Sequence, residues 1–210
     1  MEALGAAWSL AGRLTWQNLL QLMTLNVAWV LCCLPIVTIG PATLAAYWFV
    51  SHVIRDTDAP FTIAAYLRAV GHFFVPGLAW CIVWVVLLFT AYSNLAFWPH
   101  LLPGFMTVAL TLLVVYIAWF LASANVYYLE GVVVDGMGPL RALRNAVWMT
   151  VANPLYSHMQ PFPLVVALSA SLGFRTAVFV ILAAVVMLFA SVAAKEAPLK
   201  PAQNFPLKPA

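Results

Sequence analysis

Two stretches without one ionised side chain, residues 71–91 (GHFFVPGLAWCIVWVVLLFTA) and 105–129 (FMTVALTLLVVYIAWFLASANVYYL), constrain this chain more than any other feature. At about 1.5 Å of rise per residue each makes a helix that spans roughly 30 Å of hydrocarbon. The runs are continuously apolar and do not alternate at period two, which argues against a transmembrane β-barrel. The rest of the chain agrees: 65% of its 210 residues are hydrophobic and 7% are charged, where an ordinary soluble domain carries about a quarter charged residues. The expected fold class is therefore all-α, a polytopic transmembrane bundle of about six membrane helices in one domain, residues 1–194. A Pro-rich tail at 195–210 (KEAPLKPAQNFPLKPA) is too polar to bury a core and is expected to be disordered.

The remaining segments are less regular. A first span is expected over 16–39, carrying Asn18, Gln21, Thr24 and Asn26, polar groups that lipid cannot satisfy; Asn18, Gln21 and Asn26 are candidates for an inward face. Ahead of it, Leu4, Trp8 and Leu10 suit an interfacial helix, and the first residues lack the pattern of a cleaved signal peptide. Residues 41–54 make a helix of only about 21 Å, so this segment either tilts across or re-enters, which leaves six crossings or five. Asp58 and Pro60 then suit the start of an amphipathic surface helix bounded by Arg55 and Arg68. Residues 93–104 form an uncharged turn. Pro154, Pro161 and Pro163 should end or kink helices around one further crossing between 148 and 173, and the last span is expected over 174–194.

The charge distribution orients the bundle. With six crossings and both ends cytoplasmic, Arg13, Arg55, Arg68, Arg141, Arg144, Lys195, Lys200 and Lys208 fall inside and only Arg175 outside. Five crossings would move only Arg13.

The conspicuous irregularity is LPIVTIGPAT, an apolar run broken by Pro35, Thr38, Gly40 and Pro41. Prolines remove N–H donors, glycine permits close approach or unusual backbone angles, and irregular backbone at membrane depth survives only where protein or a wet cavity satisfies it. The break is either a tight outer-leaflet hairpin between two helices in which Thr38 and Thr43 cap carbonyl and N–H groups, or a ligand-facing site of the kind transporters build from broken helices.

The stretch LNVAWVLCCLPIVTIGPATLAAYWFVSHVIRD resembles the signature of the YesL-like family of bacterial membrane proteins (domain of unknown function 624), with its Leu-Asn opening, PIVTIGPA turn and following aromatic helix. That resemblance implies a multi-pass bacterial inner-membrane protein with a link to carbohydrate uptake, and transfers no catalytic residue. A second likeness is local. EGVVVDG, with Glu130, Asp135 and Gly136, resembles the start of the cytoplasmic coupling loop of sugar-type ABC permeases, where a Glu and an Asp-Gly pair precede a helix that docks on the ATPase. Read without it, the segment is a charged loop in which Asp135 and Gly136 turn the chain while Arg141 and Arg144 anchor the next helix at lipid headgroups.

Catalytic patterns find no support. His52, His72, His100 and His158 are scattered at span ends without ligand spacing, and Cys32, Cys33 and Cys81 lie in apolar runs as packing residues. The carboxylates Glu2, Asp56, Asp58, Glu130, Asp135 and Glu196 are all expected in loops or tails, which argues against a proton relay. No phosphate-cradling glycine loop or nucleophile elbow occurs. The expectation is a non-enzymatic membrane component with no cofactor and no metal. Its partners would be the lipid bilayer and ABC-type sugar permease subunits or further copies of itself, with no nucleic acid. The alternative is a small transporter that uses the Pro35–Pro41 break as its site.

Overall fold

Among the residues that the computed structural model describes, 2–51, 62–161 and 179–195, the chain forms helices and no strand. The two uncharged runs become its longest elements, α5 (Phe74–Phe97) and α6 (Gly104–Val133), and both are long and apolar enough to cross a membrane. A short 3-10 turn, Trp98–His100, joins them. The turn is smaller than the sequence suggests, because Asn94 keeps the helix going: its Nδ2 donates to the Thr90 carbonyl at 2.8 Å and its Oδ1 accepts from Trp98 Nε1 at 3.0 Å.

Before them come α1 (Glu2–Gln17), α2 (Leu19–Cys33), a 3-10 turn (Ile36–Thr38), α3 (Ile39–Phe49) and α4 (Ile63–His72); after them come α7 (Pro139–Ala152), α8 (Pro154–Met159) and α9 (Phe179–Lys195). Pro139 and Pro154 each open their helix, where a missing N–H costs nothing.

The core lies at one end of the long pair. Buried residues of α6 begin at Ser123, so its last third is packed in protein while the preceding turns are not. Leu22, Leu25, Leu44, Tyr47, Val50, Tyr66, Leu129, Val132 and Leu188 form the main cluster, and Ala124, Tyr127, Ala146, Met149, Tyr156 and Ala193 a second one behind α6. Beyond this end, Ile82, Val85, Val86, Phe89, Val108, Leu112, Val115 and Tyr116 are exposed, an apolar surface of the kind that lipid or a partner covers. Small residues let the helices approach: a methyl at Gly131 would stand 3.4 Å from the Ala142 Cβ, which brings α7 close along α6.

Three expectations change. The span over 16–39 is not one helix: it begins in the last residues of α1, breaks at Asn18, whose Nδ2 donates back to the Leu14 carbonyl at 3.0 Å, continues as α2, and ends through the 3-10 turn at the start of α3. Trp8 and Leu10 do not face outward but pack on the core clusters, since α1 lies against α9, with Ala11 fully buried. The cap of α4 is Thr62, whose hydroxyl accepts from the Ala65 N–H at 3.3 Å. Asp58, Pro60, Pro163, most of the expected tail and some of each proline-flanked crossing lie outside the described residues.

α3 is wrapped by protein: Gly40, Pro41, Ala42, Leu44, Ala45, Ala46, Tyr47 and Phe49 are all buried. With 11 residues it is about 16 Å long, roughly half the hydrocarbon thickness. A helix apolar on every face belongs inside a bundle, and that is where this one sits.

Candidate functional site

The break is narrower than its sequence suggests. Only residues 34–38 leave the α-helical path, and Gly40 and Pro41 already belong to α3. Leu34, Pro35, Ile36 and Val37 are exposed, while the Thr38 hydroxyl turns back toward α2, within donating distance of the Cys32 carbonyl and 2.6 Å from the Pro35 carbonyl. The Thr38 N–H also donates to Pro35, at 2.9 Å. Thr43 acts in the same way further along α3: its hydroxyl donates to the Ile39 carbonyl at 2.7 Å and accepts from Trp29 Nε1 at 3.2 Å, which clips α2 to α3. Both threonines satisfy backbone and neighbouring groups of their own hairpin.

Of the two reasons that a glycine at position 40 suggests, close approach and unusual backbone angles, the first holds. The φ of Gly40 is not positive; among the described residues only Gly136 has that property. A Cβ built on Gly40 would lie 1.9 Å from the Gly77 carbonyl oxygen, and one on Gly77 would lie 2.3 Å from the Pro41 nitrogen. The two glycines are a backbone-to-backbone crossing of α3 and α5, the small-residue contact by which helices pack closely. The crossing sets the break beside the first turns of α5, with Cys81 adjacent, and not beside the far turn at Trp98–His100.

From that crossing α3 leads to the second locality. Tyr47, with 0% of its surface exposed, donates its hydroxyl to Glu130 Oε2 at 2.8 Å. Glu130 is therefore not a loop residue: it lies in α6, one turn before the helix ends. Its carbonyl accepts from the N–H groups of Val134 (2.8 Å) and Asp135 (3.2 Å), and Met137 N–H reaches the Gly131 carbonyl at 2.8 Å across a turn made by Gly136 at φ 63°. The Asp-Gly pair makes the turn that its sequence predicts. The surrounding protein and, second, the nearby Glu130 carboxylate hold the Asp135 carboxyl above the ordinary carboxylate range, although its side chain reaches solvent.

A cleft between α5, α6 and α7 is the third locality. It encloses about 150 Å³, and its walls are apolar apart from Asn125 and the tips of Tyr128, Trp80 and Trp84. Asn125 Oδ1 accepts from Trp80 Nε1 at 2.9 Å and from Trp84 Nε1 at 3.3 Å. Indoles only donate, so the two contacts fix the amide with its oxygen inward and leave its NH2 group as a donor. Asn125 stands in an apolar run as visibly as the amides of α2; what the sequence lacks is the pairing with two tryptophans some forty positions earlier.

Of the amides in the first helices, Asn26 is fully buried, Gln21 is half-buried, and half-buried Asn18 serves the α1–α2 joint. Among the described residues no three His, Cys, Asp or Glu side chains come together as metal ligands would.

Residues 22–95, which hold most of α2, the break, α3, α4 and nearly all of α5, match the family model DUF624, a protein of unknown function. Over that segment the chain is similar to the DUF624 family, the one that its LPIVTIGPAT signature resembles, and the Gly40–Gly77 crossing lies wholly within the match. No curated protein and no solved structure matches the chain.

Proposed function

We propose that this chain is a multi-pass protein of the bacterial inner membrane, with a cytoplasmic C-terminus, that assists or regulates carbohydrate uptake without catalysing a reaction. Its partners are ABC-type permease subunits or further copies of itself. One observation carries the reading: the 2.8 Å hydrogen bond from Tyr47 ties the family-signature helix α3 to Glu130, the first residue of the 130–136 segment that resembles the start of a permease coupling loop. A partner that moves this segment would be felt at α3 through a buried contact, and through the Gly40–Gly77 crossing at α5. The transporter reading draws less support, because the Thr38 hydroxyl is occupied with hairpin carbonyls.

The test is physical and cellular. In mild detergent the full chain, carrying an affinity tag, should recover permease subunits, and its deletion should lower uptake of a subset of carbohydrates. Tyr47→Phe at normal abundance should weaken both effects. Recovery of the chain alone, under conditions that keep a known transporter intact, together with unchanged uptake in the deletion strain, would overturn the proposal.

A further inference from the structure

The α5–α6–α7 cleft has the chemistry of a lipid site. Trp80, Val83 and Leu87 form one wall, Leu121 the floor, and Leu140 and Leu143 of α7 the other wall. It opens between the two helices that are long and apolar enough to cross a membrane, so its contents come from the hydrocarbon layer. A space of about 150 Å³ takes an apolar group of benzene size in other proteins, which suits a few methylenes of a chain whose remainder lies in the bilayer.

Two further features specify what kind of chain. The lining includes Asn125, whose NH2 group is left as a donor, and Tyr128, whose hydroxyl donates or accepts, and neither group has a partner among the described residues. Donors left without a partner in an apolar wall select a ligand that carries carbonyl oxygens. The second feature is cationic. Arg144 is one helical turn after Leu140 and next to Leu143, at the edge of the lining face, with Arg141 one turn before it; both are exposed, and neither has an acidic partner among the described residues. Ala142 of α7 meets Gly131 of α6, so the arginines stand near the level of Tyr128 and above, toward the end of α6. Along the cleft the order is therefore cation, hydroxyl and amide donors, apolar floor. Phosphate, ester carbonyls and acyl chain follow one another in the same order in a glycerophospholipid.

We propose that this cleft binds one anionic glycerophospholipid of the bilayer. An acyl chain lies against Trp80, Val83, Leu87 and Leu121, its ester carbonyl accepts from Tyr128 and Asn125, and its headgroup phosphate pairs with Arg144 and Arg141, whose long side chains reach the interface. The inference rests on the membrane placement proposed above and not on the uptake role.

Native mass spectrometry of the full chain, purified in detergent and supplied with phosphatidylglycerol or phosphatidylcholine of identical acyl chains, tests it. One phosphatidylglycerol should be retained in preference to phosphatidylcholine and raise the melting temperature, and inorganic phosphate should do neither. Arg141→Gln and Arg144→Gln should each cut that preference about fivefold. Leu143→Trp, which fills the cleft, should abolish retention of both lipids, with its lipid-free melt as the folding control. Tyr128→Phe, which keeps shape and removes one donor, should weaken retention even where Leu143→Trp fails to fold. Equal retention of the two lipids, or a preference that survives the double arginine variant, would overturn the site. Absence of the chain from the membrane fraction would overturn the placement instead, so the two failures are distinguishable.

Discussion

Replacing Gly77 by alanine is the sharpest probe of this fold. The added methyl would stand 2.3 Å from the Pro41 nitrogen, 2.5 Å from its Cα and 2.7 Å from the Gly40 carbonyl carbon, all backbone atoms of α3. Ordinary contact needs about 3.5–4.0 Å, so the helices must separate by roughly 1 Å or more. No rotamer can relieve the clash, because nothing on the far side is a flexible side chain. Moving α3 disturbs a helix buried on nearly every face, so the cost belongs at the upper end of overpacking, about 3 kcal/mol. For a chain of this size that lowers Tm by about 6–12 °C. Thermal unfolding in one fixed detergent measures it. Gly12→Ala in α1 is the control: a methyl there meets nothing within 4 Å, and relief of backbone entropy should stabilise it by about 0.5–1 kcal/mol. A Gly77→Ala protein that melts within a degree of the unmodified chain would refute the close crossing and the role given to Gly40.

Four further outcomes are expected. Thr38→Val removes the hydroxyl shared with the Cys32 and Pro35 carbonyls and should cost about 1 kcal/mol, with carbohydrate uptake by the host unchanged; loss of uptake at normal abundance would favour a ligand-facing break. Tyr47→Phe removes a bond to a carboxylate and should cost about 1.5–3 kcal/mol, and a double-mutant cycle with Glu130→Gln should return most of it as coupling. The Asp135 pKa is raised, so the folded state holds that proton more tightly than the unfolded chain, and the associated stability is present at low pH and lost as pH rises through the folded value. Asp135→Asn should therefore raise Tm at pH 7, and the gain should shrink as the pH falls toward the unfolded carboxylate value of about 3.9; a gain that grows on acidification would contradict the assignment. A single cysteine replacing His100 should label from outside the cell and one replacing Asp135 should not; the reverse pattern would invert the orientation.

Composition determines the long helices, because 71–91 and 105–129 are apolar runs without an ionised side chain; the structure extends the second at both ends, whereas it divides the first, closing α4 at His72 and opening α5 at Phe74, with Pro76 in the first turn where a missing N–H costs little. Local chemistry likewise makes the Asp135–Gly136 turn and the helix end before Pro154 readable, since Pro and Gly act through their own backbone angles, whereas the helices that Pro139 and Pro154 open are seen only in the structure. Pairings across sequence distance are not local. Thr38 reads as a cap or as a ligand group until its hydroxyl is seen against the carbonyls of Cys32 and Pro35. Gly40 reads as a glycine of close approach or of unusual backbone angle until Gly77 is found against it. Tyr47 and Glu130 are 83 positions apart, and Asn125 meets Trp80 and Trp84 across 45 and 41. A buried polar group gains only from the partner that the folded chain brings to it, so the composition of α3 and α6 settles that they are apolar helices, while tertiary packing decides which of their few polar atoms meet.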